Sequence, residues 1–93
     1  MNYLVRVELH GAVYDDYQKL HKFMESEGFT RTIVASDGIS YQLPTAEYHG
    51  VTTLNTNSVL EVVQRAVKNT GKTGMVLVNQ YSQWMSSGLV PVR

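Results

Sequence analysis

Few side chains in this 93-residue chain have the type and spacing that chemistry needs. Glu8 and His10 stand at i and i+2 in an alternating segment. On a strand they would share one face and could serve as acid and base or as a pair of metal ligands, although solvated strand ends carry the same residues. His21 and Lys22 are neighbours in an amphipathic segment; an imidazole can move a proton and an ammonium can meet a phosphate, while the plainer reading makes both surface residues. Arg31 and Asp37 bracket a β-branched run. Asp37 is accounted for by a turn, and Arg31 is either a phosphate contact or a charge that guards a sheet edge. Tyr41, Tyr48 and His49 could stack on unpaired bases, as aromatic platforms do in single-stranded RNA binders, although sheet aromatics more often serve the core.

Two apparent motifs carry no function. NTGKTG, residues 69–74, contains the GKT of a phosphate-binding loop, but Ala66 stands where that loop needs its first glycine. The segment also runs from helix to strand, the reverse of the order the motif requires. The three histidines lack metal-ligand spacing, no carboxylate cluster completes a site, and no Ser/His/Asp arrangement is legible. Neither a metal nor a cofactor is expected.

Composition narrows the class further. Eight Lys and Arg balance eight Asp and Glu, so no strong overall field draws in phosphate backbones or acidic membranes. Local asymmetry is weak: residues 61–93 hold Arg65, Lys68, Lys72 and Arg93 against Glu61 alone. Without cysteine there is no disulfide framework or thiolate site, and the fold must rest on packing. The N-terminal MNYLVRVELHG alternates like a strand and lacks the apolar core of a signal peptide, and no run reaches the length of a membrane span. A cytoplasmic protein of one domain, residues 1–93, is expected.

The elements that must position these side chains read as β-α-β-β-α-β. Residues 3–9 place Tyr3, Val5, Val7 and Leu9 on one face and Leu4, Arg6 and Glu8 on the other. Asp15–Glu27 is a helix, with Asp15 and Gln18 at capping-box spacing, an apolar stripe through Leu20 and Met24, and Gly28 as its C-terminal cap. Thr30–Ser36 is a strand, Asp37-Gly38 a type I′ hairpin turn, and residues 39–43 the returning strand until Pro44 interrupts it, with pairing resuming at Tyr48–Leu54. Val59–Asn69 is a second helix capped by Asn57 or Ser58 and stopped by Gly71; residues 75–78 form a last short strand. The tail from Asn79 carries Tyr81, Trp84, Met85 and Leu89 without a period, and folds back or packs on a partner copy. Right-handed crossovers turn this order into an α+β ferredoxin-like sandwich, an antiparallel sheet with both helices on one face and strands one and three central.

The segments YLVRVEL, LHKFMESEGF, RTIVASDGISYQLP and VTTL, spanning about residues 2–60, resemble the small GhoS-type proteins. These are antitoxins of a type V toxin–antitoxin system, endoribonucleases that act on the messenger RNA of a small membrane toxin. The resemblance implies a fold similar to that of the small CRISPR adaptation nuclease and of VapD-like proteins, ferredoxin-like and often dimeric. It also implies roles: Glu8 matches an acidic position near the end of the first strand, His21 with Lys22 a basic position in the first helix, and Tyr48 or His49 an aromatic before the Thr-Thr pair. Beyond the second helix the likeness fades.

The expectation is therefore an endoribonuclease with Glu8 and His21 as catalytic residues and Arg31, Lys22, Tyr48 and His49 binding RNA, acting as a homodimer. A histidine or carboxylate would activate the ribose 2′-hydroxyl while a cation stabilises the phosphorane charge. A non-catalytic RNA- or protein-binding module on the same fold, and a ligand-binding or purely dimer-forming domain, are the competing readings.

Overall fold

The computed structural model describes residues 1–92. Strand β1 (Asn2–Leu9) leads to helix α1 (Tyr14–Ser26), strands β2 (Thr32–Val34), β3 (Ser40–Gln42) and β4 (Glu47–Val51), helix α2 (Thr56–Asn69), and strands β5 (Gly74–Tyr81) and β6 (Val90–Pro91). The architecture is α+β: two helices and two three-stranded antiparallel sheets, ordered β4-β1-β5 and β2-β3-β6.

β1 is central, as the order of elements predicts. Tyr3, Val5, Val7 and Leu9 are buried, whereas Arg6 and Glu8 face outward. Those inward side chains meet Leu20 and Met24 of α1 and Val59, Val62, Val63, Ala66 and Val67 of α2 in one core, so both helices cover the same face. Register along β1 places Val5 between Tyr48 and Val78, and Leu4 between His49 and Asn79. Facing residues of an antiparallel pair project to the same side. Leu4, Arg6, Glu8, Glu47, His49, Met75, Leu77 and Asn79 therefore share the face that no helix covers.

The hairpin differs from expectation. It does not sit in the main sheet but forms a smaller sheet with β6, joined to the first by the bridge of Thr30 to His49, with N–H to O distances of 2.8 and 2.7 Å. The third strand is cut in two because Pro44 lacks an N–H for the ladder and Ala46 turns the chain at φ 66°. β4 thus becomes the edge of the main sheet, where sequence pattern predicted a central strand. The turn is not type I′ either: only Gly38 has positive φ, Gly38 N–H bonds to Ala35 O and Ala35 N–H to Ile39 O. That is a type I turn followed by a left-handed glycine, the three-residue hairpin loop. Asp37 secures it by accepting from Ile39 N–H at 2.8 Å and from the Tyr41 hydroxyl at 3.0 Å.

Both helices begin earlier than their apolar periodicity predicts. In α1 the Val13 N–H donates to Asp16 Oδ2 at 2.9 Å, so Asp16 takes the part expected of the Asp15 and Gln18 pair. In α2 the Asn55 side chain accepts from Ser58 N–H at 2.9 Å, so Asn55 is the cap and Ser58 lies inside the first turn. Gly28 and Gly71 take positive φ and end the two helices as expected. β5 is twice the predicted length and pairs with β1 over eight residues. The tail folds back: β6 pairs with β3, setting Tyr41 opposite Pro91 and Gln42 opposite Val90. Among the described residues no helix is long and apolar enough to cross a membrane.

Candidate functional site

The main sheet divides the side chains singled out by sequence into two groups. Successive strand residues point to opposite faces, so Tyr48 projects into the core and His49 onto the uncovered face.

On the helix side, His21 lies on the inner surface of α1 and its Nδ1 is 2.6 Å from the Tyr48 hydroxyl, with ring centroids 5.7 Å apart and planes tilted by 55°. Tyr48 is 0% exposed and His21 6%. A stacking role for Tyr48 is therefore incompatible with its place: no ring face reaches the surface. His21 is not the surface residue its helical position predicts, because α1 is rotated to lay it over Tyr48. The segment between α1 and β2 delivers Arg31 to the same place. Thr30 is tied to His49 by the bridge, and the Arg31 carbonyl accepts from Leu43 N–H at 2.8 Å and Gln42 Nε2 at 3.0 Å. Backbone contacts thus hold Arg31 where its charge acts on both the His21 imidazole and the Tyr48 hydroxyl. The Arg31 Nε is buried without a hydrogen-bond partner. Lys72 with Asp16 is the sole ion pair among the described residues, so no carboxylate closes on Arg31.

Electrostatics follow from this packing. Burial lowers the His21 pKa, the Arg31 cation lowers it further, and Glu25, one turn along α1, acts in the opposite direction. His21 is consequently neutral near pH 7. Burial drives the Tyr48 hydroxyl far above the ordinary tyrosine range, against the pull of Arg31, so it is a phenol and never a phenolate at working pH. A neutral imidazole fixed by a phenol beside an unneutralised guanidinium can accept a proton and can hold an anion. Lys22, next to His21 on α1, is exposed to solvent and outside this cluster.

The uncovered face holds the second group. His49 Nε2 lies 2.5 Å from the Tyr81 hydroxyl, and burial lowers the His49 pKa and raises that of Tyr81. Tyr81 has no place in the sequence-derived set, since nothing but the register of β4, β1 and β5 brings position 81 near position 49. Glu8 also stands on this face, at a groove of about 320 Å³ lined by Arg6, Met75, Val76 and Leu77. His10 does not join Glu8; its Nδ1 is 3.4 Å from Thr73 Oγ1 in the turn beyond the strand. The expected catalytic pair of Glu8 and His21 is accordingly split by the sheet, one residue on each side, and cannot meet one substrate atom. Among the described residues no three His, Asp or Glu side chains gather as metal ligands.

A profile of the family described as Endoribonuclease GhoS matches residues 1–87, through α2, β5 and most of the tail, well past the segments whose residues carry the likeness by eye. Comparison with curated protein sequences returns no significant match. A match over nearly the whole chain, on an α+β fold whose matched segments build β1, α1 and the hairpin, places this protein in the GhoS endoribonuclease family.

Proposed function

We propose that this protein is an endoribonuclease that binds and cleaves single-stranded messenger RNA of a small membrane toxin, acting in the cytoplasm as a homodimer. The observation that carries the reading is the Arg31 guanidinium, its Nε buried and unpartnered, beside the neutral His21. A phosphodiester oxygen supplies what Arg31 lacks, and Arg is suited to phosphate by its planar fork of donors. In the reaction, the 2′-hydroxyl of the ribose gives its proton to the free Nε2 of His21, whose Nδ1–H donates to the Tyr48 oxygen. The 2′-oxygen attacks phosphorus, the 5′-oxygen leaves and takes a proton from water, and the products are a 2′,3′-cyclic phosphate and a 5′-hydroxyl end. Arg31 stabilises the phosphorane charge. Tyr48 is a positioning residue, and Glu8, on the far side of the sheet, takes no part. Lys22, exposed beside His21 on α1, borders the path of the strand; His49, on the opposite face, meets RNA only where the strand rounds the edge bridged by Thr30, and half-buried Tyr41 offers a ring for stacking. The fold is read as ferredoxin-like, with the second strand reduced to the Thr30 bridge.

One observation favours a second reading, a non-catalytic RNA-binding module: His21 keeps only 6% exposure and the substrate must reach it past Arg31. Purified protein incubated with labelled toxin-type messenger RNA separates the two. Cleavage to cyclic-phosphate ends, lost in Arg31→Ala and His21→Asn, is the result expected; RNA retained uncut by the intact protein selects the binding module, and no retention at low salt rejects both readings.

A further inference from the structure

β5 is an eight-residue strand with one partner. It pairs with β1 along one side, and along the other the N–H and C=O groups of residues 74–81 meet no strand among the described residues. The opposite edge of the same sheet is closed, since β4 is bridged by Thr30 and followed by the small sheet. Edges of the small sheet are only two or three residues long. Natural edge strands are usually blunted by a charge, a proline or a bulge; GMVLVNQY has neither charge nor proline. The core is also open on this side: Val5 and Val7 of β1 are 1% exposed, whereas Val76 and Val78 pack on the same core and stay only half-buried. Between β5 and α2 runs a groove of about 450 Å³, floored by Leu60, Val67 and Val76. Outward-facing Met75 and Leu77 are 56% and 66% exposed.

We infer that the β5 edge is the dimer interface, two copies pairing β5 antiparallel into one continuous six-stranded sheet. A row of unpaired backbone groups is a ready template for another strand, and an uncharged strand meets its own copy without repulsion. Antiparallel pairing with all helices on one side sets the two α2 helices antiparallel across a two-fold axis. Glu61 and Lys68, two turns apart, share the solvent-facing side of α2 next to Gln64, which lines the groove, so such an axis near Gln64 brings Glu61 toward the partner's Lys68. Charge complementarity of this kind selects a second copy over an unrelated strand. Val76 and Val78 of each copy then gain the neighbour that β1 already provides on their other side.

The inference rests on the homodimer named above, and the test reads assembly and location separately. Light scattering of the full chain at high concentration should give twice the mass of one chain; a monomer overturns both the dimer and its interface. The Met75→Lys/Leu77→Lys variant, with both changes on exposed positions, places like charges across the new pair and should be monomeric with unchanged circular dichroism. A variant that folds and dimerises as before overturns the β5 interface and leaves the dimer standing. Hydrogen exchange on the unmodified chain covers a variant that fails to fold. The outward amides of residues 74–81 should exchange as slowly as those of β1 in concentrated solution and faster on dilution. Rapid exchange of those amides in the dimer overturns the assignment. RNA cleavage is scored independently in every sample.

Discussion

Arg31→Met separates a functional arginine from a structural one. Methionine keeps an unbranched stem of similar reach and removes the guanidinium. In the protein Arg31 Nε is buried with no partner and no carboxylate lies within salt-bridge distance among the described residues. A buried donor left unsatisfied costs roughly 1–3 kcal/mol, so the substitution should stabilise the fold by about 1–2 kcal/mol once some loss of packing is allowed. For a domain of this size each kcal/mol moves Tm by about 4–8 °C, an upward shift easily read by calorimetry. Arg31 is also the second cause, after burial, of the lowered His21 pKa, so removing it should move the His21 titration upward, seen by NMR of the imidazole. RNA cleavage and retention should fall together. A stabilised chain that has lost RNA handling is the signature of a residue kept for binding. A lower Tm with an unmoved His21 titration and unchanged cleavage would refute the argument, since it would mean that Arg31 serves packing alone.

Tyr48→Phe leaves His21 Nδ1 buried without its partner at 2.6 Å, and should lower stability by about 1–3 kcal/mol, measured by urea denaturation at pH 7.5. Acid should weaken the fold through His21 and His49: both pKa values are lowered in the folded state, so as pH falls below 6.5 the unfolded chain takes up protons first. Stability contributed by the neutral rings is full above that pH and declines beneath it, and thermal melts between pH 7.5 and 5 should follow that slope. Gly74→Ala should destabilise by at least about 1–3 kcal/mol, because its added Cβ would lie 2.5 Å from the Glu8 carbonyl oxygen, a backbone atom that cannot turn away. Glu8→Gln should leave the rate of RNA cleavage unaltered, in contrast to His21→Asn; equal losses in single-turnover assays would place the two residues in one reaction centre after all.

Local rules made much of the molecule legible. Alternation in residues 3–9 specified the first strand and its buried face, and apolar periodicity with Gly28 and Gly71 specified both helices, because period and backbone freedom are properties of neighbouring residues. His21, Arg31, Tyr48 and His49 could be named as chemistry-bearing for the same reason. Which of them meet depends on register, on the rotation of α1, and on the break at Pro44 and Ala46 that moved the hairpin out of the main sheet. Those are contacts between segments far apart in the chain, and no short window encodes them. Tertiary structure alone set Tyr48 under His21, joined His49 to Tyr81 across 32 residues, and put Glu8 on the other side of the sheet from His21. Residue types supplied the reagents; packing decided which could react together, since a sheet one residue thick is enough to keep two side chains apart.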